Sequence, residues 1–490
     1  MLYKKAALNI SATVVATFFT AICYIITSRV LGPTKMGQYS YALWLINVCV
    51  LISTGGIPLA LTRFIPELEK ELGKQGINLL TRKLLFFTII SSLCCSLFLA
   101  FIFPILKDAS SYILYLRLIA LIIPFASISL VLTSYLQGKQ QFSRIAITTI
   151  VGSCISTIIL VVAVFFYKNV NILIAAYGLY AVLNMFLLLG FTRIGKGKGT
   201  LKYKEIIQYI ISVSCILLLD AIVWDKSEVF FLKRFAQDQQ IAFYSIAYAL
   251  VGAVSTLVPT ALFTVLVPAY ASLTGISKEK ERMKIYFVSS RYLALFILPI
   301  ACIGAALATP LTKYILGNQY IGEIGTLRVM FITSISGVIA TASSSLLYGM
   351  KRQKVILYAG ILISLLSIVL DILFIPRFSS IGAAFVNGFA QLLGASVGII
   401  YIIRTFHFAF PFRDTVFAGI AAMIAGILVF LTTLLTTNMF FLIALSLLST
   451  GIYLFILKVC GVLKEEDWQL GKNIYVYIKS SKQILRIKNT

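Results

Sequence analysis

Apolar runs of about twenty residues recur along the whole chain, and no other feature constrains the fold as tightly. At about 1.5 Å per residue each run is long enough to cross a hydrocarbon core about 30 Å thick. A backbone inside that core must satisfy its own hydrogen bonds, so the runs have to be helices. Closing them at charged, Gly and Pro clusters gives about fourteen spans, near 7–30, 38–62, 84–106, 111–136, 145–167, 171–192, 206–232, 241–270, 287–309, 322–349, 355–375, 381–403, 414–436 and 438–462. Only 12% of the 490 residues are charged and 60% are hydrophobic, which leaves nothing for a soluble domain. The run at 6–31 follows Lys4-Lys5 as a signal peptide would, but it is too long and has no small-residue cleavage site, so the sequence predicts a retained first span.

A net charge of +25 would point to nucleic acid in a soluble protein. Here Lys and Arg gather in alternate loops, without aromatic residues interleaved on a polar surface, so nucleic acid is not an expected partner. With the N-terminus inside, about thirty of them fall on the inner side and about ten on the outer. The expectation is a multi-pass protein of the cytoplasmic membrane with both termini cytoplasmic, Lys196 and Lys280 facing inward and Asn169 and Asn318 outward. Cys23, Cys49, Cys94, Cys95, Cys154, Cys215, Cys302 and Cys460 lie in or beside apolar segments and lack the paired spacing of a disulfide framework or zinc site. No metal site and no cofactor are expected.

The chain also repeats itself. Tyr39-Ser40-Tyr41-Ala42 recurs as Tyr244-Ser245-Ile246-Ala247, Leu116-Arg117 as Leu327-Arg328, Gly138 as Gly349, and Ala175-Ala176-Tyr177 as Ala383-Ala384-Phe385. The order is kept and the offset stays between 205 and 211 residues. Six spans per repeat give both halves one orientation, related by an axis along the membrane normal. The predicted fold is an all-α polytopic membrane protein: two pseudo-symmetric six-helix lobes (1–195 and 205–405), a terminal helix pair (413–462) and a basic tail (463–490). Two such lobes would enclose a central cavity and give alternating access by rocking. The tail, with Trp468, Tyr475 and Tyr477, either lies on the anionic inner leaflet or is disordered.

Four stretches carry a family resemblance. They are Ser28-Arg29-Val30-Leu31-Gly32-Pro33 with Gly37-Gln38-Tyr39-Ser40; Trp224-Asp225-Lys226-Ser227-Glu228 through Phe243-Tyr244-Ser245-Ile246-Ala247; Leu316-Gly317-Asn318-Gln319-Tyr320 before Leu327-Arg328; and Ile375-Pro376-Arg377 before Gly382-Ala383-Ala384. In them the chain resembles the polysaccharide transporter branch of the multidrug/oligosaccharidyl-lipid/polysaccharide flippase superfamily, the branch of the Wzx-type O-antigen flippases. The resemblance implies a fourteen-helix flippase that moves polyprenyl-(pyro)phosphate-linked oligosaccharide across the cytoplasmic membrane for surface polysaccharide synthesis. It also implies a polyprenyl-linked glycan, membrane lipid and glycan-assembly enzymes as partners.

Such a cargo needs cations inside the membrane, and Arg holds phosphate oxygens in a bidentate fork. Arg29, Arg63, Arg117, Arg144, Arg291 and Arg328 lie in or beside spans; the structural alternative is that each is a helix-end residue snorkelling to headgroups. Arg117 and Arg328 stand out because they occupy matching places in the repeats. Arg29 matches an Arg before a Gly in the related lipid II flippases, yet at about 100° per residue it falls opposite the polar stripe Asn9, Thr13, Thr17, Thr20, Tyr24 and Thr27. Similar stripes run along the second helix (Ser40, Trp44, Asn47, Thr54, Thr62) and the eighth (Ser245, Tyr248, Gly252, Ser255, Pro259). They read as cavity lining for sugars or as ordinary helix packing, and Asn9, Asn47 and Tyr248 are the candidate sugar contacts. Acidic groups within spans are Asp220, Asp225, Glu228 and Asp371. Asp225 and Glu228, three apart on one face, are candidates for H+ or Na+ coupling, with pairing to Lys226 as the alternative. His407 is expected to be structural.

Two rivals share the architecture. A multidrug exporter would want an acidic cavity for cationic substrates, whereas Arg outnumbers Asp and Glu near these spans; a lipid II flippase is separated poorly by sequence. A membrane polysaccharide polymerase or glycosyltransferase would be an enzyme with a large outer loop or an acidic metal motif. No outer loop here exceeds about twenty residues, so no catalytic residue is assigned.

Overall fold

The computed structural model describes residues 2–71, 73–102, 113–192, 194–195, 197, 203–223, 226–273, 278–350, 352–436, 438–463 and 467. Among these, fifteen helices follow one another: α1 Leu2–Thr54, α2 Ile57–Glu71, α3 Gly73–Leu97, α4 Ile113–Gly138, α5 Phe142–Tyr167, α6 Val170–Phe191, α7 Tyr203–Val223, α8 Glu228–Phe235, α9 Asp238–Ser255, α10 Leu257–Ser272, α11 Glu279–Ala306, α12 Ile324–Gly349, α13 Gln353–Phe406, α14 Phe412–Leu435 and α15 Met439–Val459. Short helical turns fill 98–102 and 308–323, and no strand occurs among the described residues.

Eleven helices are long and apolar enough to cross a bilayer, or twelve if α9 and α10 form one span bent by 52°. The sequence expects about fourteen, and the difference lies in α1 and α13, which are 53 and 54 residues long. Each is longer than a single crossing needs and each is broken once, at Gly32 (φ 75°) and Ser379 (φ 50°). Gly32 tolerates that backbone because it has no Cβ, and Pro33 restarts the helix with its fixed φ. A count of fourteen therefore rests on taking each of these two helices as two spans.

The backbone repeats where side chains do not. Lys168 (φ 47°) and Ser379 (φ 50°), both left-handed and neither glycine, stand 211 residues apart, the separation of Leu116 from Leu327. The second expected helix is interrupted at Gly55 (φ 48°), between α1 and α2, as the eighth is at Thr256.

Within the N-terminal half α1 packs on α5, α4 on α2, α3 and α6, and α5 on α6. In the C-terminal half α12 packs on α9, α10, α11 and α13. The halves meet where α1 lies along α9, and α7 touches both α2 and α13. Outside this frame α14 lies on α11 through Ala418, Ala421, Ala422 and Ala425, all fully buried; a Cβ on Gly426 would come within 3.0 Å of Cys302. Small residues of this kind let membrane helices approach closely. The opposite faces of α14 and α15 expose Leu434, Leu435, Phe440, Leu447 and Val459, an apolar belt that belongs against lipid. The chain is a multi-pass membrane protein.

Candidate functional site

A cavity of about 380 Å³ lies inside the C-terminal half. The bend between α9 and α10 opens it, and its walls come from α9, α10, α12 and α13. Tyr248, Gly252, Ser255 and Pro259, four of the five residues in the eighth-helix stripe, line it, together with Thr256, Thr260, Thr333, Ser334, Thr341, Asn387 and Gln391. The lining sets these hydroxyl, amide and aromatic groups among apolar Val251, Met330 and Val338, and carries no charged side chain.

A carboxylate network adjoins this cavity. Glu228, at the start of α8 and 1% exposed, accepts hydrogen bonds from Tyr244 Oη (2.7 Å) and Asn387 Nδ2 (3.0 Å). Gln391 Nε2 donates to Asn387 Oδ1 at 2.9 Å, one helical turn on, which carries the network along the cavity wall. Asp371, also 1% exposed, lies near enough to feel the Glu228 charge, and neither of its oxygens has a hydrogen-bond partner among the described residues. Two acidic groups thus share one dry region with a phenol and a carboxamide. A bare carboxylate there is strongly disfavoured unless a proton or cation neutralises it. No group of three or more His, Cys, Asp or Glu suited to a metal ion occurs among the described residues.

The other sequence candidates are scattered. Asp225 lies outside the described residues, as does the side chain of Asn9. Lys226, the alternative partner for the acidic pair, holds its ammonium 4.9 Å from the centre of the Tyr248 ring. Asn47 and Arg117 are exposed within their apolar helices. Arg63 is exposed on α2 and stacks over Tyr209 of α7 at 4.4 Å. Arg328 bonds to Thr309 Oγ1 (3.0 Å) and lies over Phe430 of α14. Arg291 is buried and pairs with Asp414 (3.0 Å) and Asp467 (2.6 Å), and also donates to the Val462 carbonyl. That engagement ties α11 to α14 and to the chain beyond α15, and takes its guanidinium away from any phosphate. His407 ends α13 in a left-handed conformation (φ 56°).

Arg29 takes part in a seam between the halves, on the side the sequence assigns to the outside. It donates to the Tyr314 carbonyl, Gln319 Nε2 donates to the Arg29 carbonyl (2.9 Å), and Tyr320 Oη donates to the Ser28 carbonyl (2.9 Å). Gln38 Nε2 donates to Asp238 Oδ2 at 3.0 Å, and Asp238 also pairs with Lys233 at 2.6 Å. Beside them Gly37 lies so close to the Asp238 backbone that a Cβ would overlap its carbonyl.

Asn387 and Gln391 were hidden from sequence reasoning, although an amide pair four residues apart inside an apolar span was a usable signal. Asp371 is visible as an intramembrane acid, but its proximity to Glu228 across 143 positions is a product of the fold alone.

The family model described as polysaccharide biosynthesis protein matches residues 2–274. No curated protein matches the chain. Among solved structures, a lipid II flippase, MurJ, in an inward closed conformation superposes with a TM-score of 0.70 at 17% identity, covering 91% of this chain and 97% of that one. An inward-facing multidrug resistance MATE family transporter of the MOP superfamily gives 0.62 at 14% identity, covering 80% and 94%. A MOP superfamily transporter from Pyrococcus furiosus, described as having a binding pocket of reverse polarity, gives 0.54 at 15% identity, covering 83% and 95%.

Proposed function

Because the chain belongs to the polysaccharide biosynthesis protein family, whose model matches residues 2–274, we propose that it is a flippase for polyprenyl-(pyro)phosphate-linked oligosaccharide. The fold it shares with flippases and transporters of the MOP superfamily supports a carrier rather than an enzyme. The observation that carries the sugar assignment is the cavity beside Asn387: hydroxyls, amides and the Tyr248 ring suit sugar hydroxyls and faces, and the lining offers no carboxylate to a cationic drug. The lipid carrier's phosphate would fall to Arg29, Arg63 and Arg117, three of the four exposed members of the Arg set. Transport proceeds by separation of the halves at the seam and closure elsewhere, from the cytoplasmic to the outer leaflet.

We assign energy coupling to Glu228 with Asp371; Asp225, the neighbour expected from spacing, lies outside the described residues. A proton or Na+ that neutralises the buried pair changes the charge of the cavity wall through Tyr244 and Asn387, and thereby links cation binding to cargo.

The test is binding by the purified full-length protein in lipid nanodiscs, with thermal stabilisation as the readout. A polyprenyl diphosphate-linked oligosaccharide is expected to raise the melting temperature more than lipid II or a hydrophobic cation does. Stabilisation by the cation alone would replace this reading with a drug exporter; stabilisation by lipid II alone would assign the chain to peptidoglycan precursors.

A further inference from the structure

Glu323 takes no part in the coupling pair or in the cavity. It closes the 3-10 turn Asn318–Glu323, is 0% exposed, and has no hydrogen-bond partner at either carboxylate oxygen among the described residues. The turn lies against α1, α9 and α12 and against the π-turn at Thr312–Leu316, so the acid sits in the seam where the halves meet.

The groups around it do not compensate its charge. Tyr24 and Tyr320 are close enough to feel it, but Tyr24 Oη is bonded to Ser40 Oγ (2.8 Å) and Tyr320 Oη to the Ser28 carbonyl (2.9 Å). Ser245 Oγ, on α9 and 1% exposed, lies near the Tyr24 hydroxyl and makes no well-formed hydrogen bond among the described residues. The charged residues of the surrounding elements are committed elsewhere. Arg29 and Lys35 of α1 bond to the Tyr314 and Lys168 carbonyls, Asp238 of α9 pairs with Lys233, Arg328 of α12 bonds to Thr309, and Lys313 of the π-turn is exposed. A carboxylate left bare in such a seam is strongly disfavoured.

We propose that Glu323, with the hydroxyls of Tyr24, Ser40 and Ser245, forms a site for a small monovalent cation, a proton or an alkali metal ion, completed only when the two halves close at the seam. The N-terminal half supplies Tyr24 and Ser40; the C-terminal half supplies Ser245 and Glu323. Separation strips two of the four oxygen-bearing side chains from the site and returns Glu323 to water. A cation that binds the closed seam and leaves the open one therefore draws the halves together. For a single site, a tenfold rise in cation activity multiplies the closed-to-open ratio by up to tenfold. The site shares no residue with the Glu228 pair. It rests on the separation of the halves put forward above, and is independent of what the cargo is.

The test uses the full-length protein without native cysteines and with Ala242→Cys as reporter. Ala242 is 0% exposed and packs among side chains of α1, so it labels only when the seam opens. In proteoliposomes the rate of labelling by an impermeant maleimide should fall by up to tenfold for each tenfold rise in the operative cation. A response to Na+ at fixed pH assigns the metal ion, and a response to pH in Na+-free buffer assigns the proton. Glu323→Gln should label slowly at every condition. Glu323→Asp, which keeps the charge on a shorter stem and guards against misfolding of the Gln variant, should shift the midpoint. The response should persist in Glu228→Gln/Asp371→Asn protein. An unchanged response in Glu323→Gln, or its loss in the double variant, would overturn the site. A reporter that never labels, beside an exposed control that does, would overturn the separation of the halves and the site with it.

Discussion

Gly37→Ala adds one methyl group where the seam has no room for it. The new Cβ would overlap the Asp238 carbonyl oxygen and come within 3.3 Å of the Asp238 Cα, so the atoms in the way are backbone rather than a pliable side chain. Gly37 has an ordinary helical backbone, hence the substitution brings no conformational strain of its own. Relief requires α1 and α9 to part by roughly 1–2 Å, and overpacking of this kind costs about 1–3 kcal/mol. Because the cost falls only on the closed seam, the closed-to-open ratio should drop by about 5- to 150-fold. Pulsed electron paramagnetic resonance between nitroxides at Lys35 and Asn318, both exposed on opposite sides of the seam, reads the distribution directly. We expect a longer distance to dominate in Gly37→Ala. Gly360→Ala on α13, where a Cβ meets nothing within 4 Å, should leave the distribution unchanged. A Gly37→Ala distribution identical to the parent's would refute the claim that this contact governs closure.

Glu228→Gln or Asp371→Asn should leave folding intact and abolish the dependence of transport on Na+ or pH, as followed by initial flipping rates across both gradients. Arg291→Ala removes a buried guanidinium from the partly buried Asp414 and Asp467 and should cost up to about 3 kcal/mol, read as a lower unfolding temperature in detergent. Gly252→Trp projects into the cavity from a position where a Cβ meets nothing within 4 Å; it should fold normally yet lose glycan binding at least tenfold in the nanodisc assay.

The fold class was legible because hydrophobic length has one physical meaning in a bilayer. The eighth-helix stripe was legible for the same reason: a period near 3.6 puts Tyr248, Gly252, Ser255 and Pro259 on one face, and that face lines the cavity. Spacing could not rank the arginines, since whether Arg291 faces cargo or Asp414 depends on a contact 123 positions away. Local spacing points only to Asp225 as a neighbour of Glu228; that Asp371 also lies near it is a product of tertiary packing. An acid at the edge of a predicted span, such as Glu323, reads as an interfacial residue; its burial comes from α1, α9 and α12 packing around the turn.

The central claim is that this chain carries a lipid-linked oligosaccharide from one leaflet to the other. Proteoliposomes holding only the purified protein and a polyprenyl diphosphate-linked oligosaccharide, probed from outside with an impermeant glycosidase or lectin, measure that event without the synthetic pathway. The account predicts that label loaded in the inner leaflet becomes accessible at a rate proportional to protein, and that Gly252→Trp abolishes it. Accessibility equal to that of protein-free vesicles, under every Na+ and pH gradient, would contradict it.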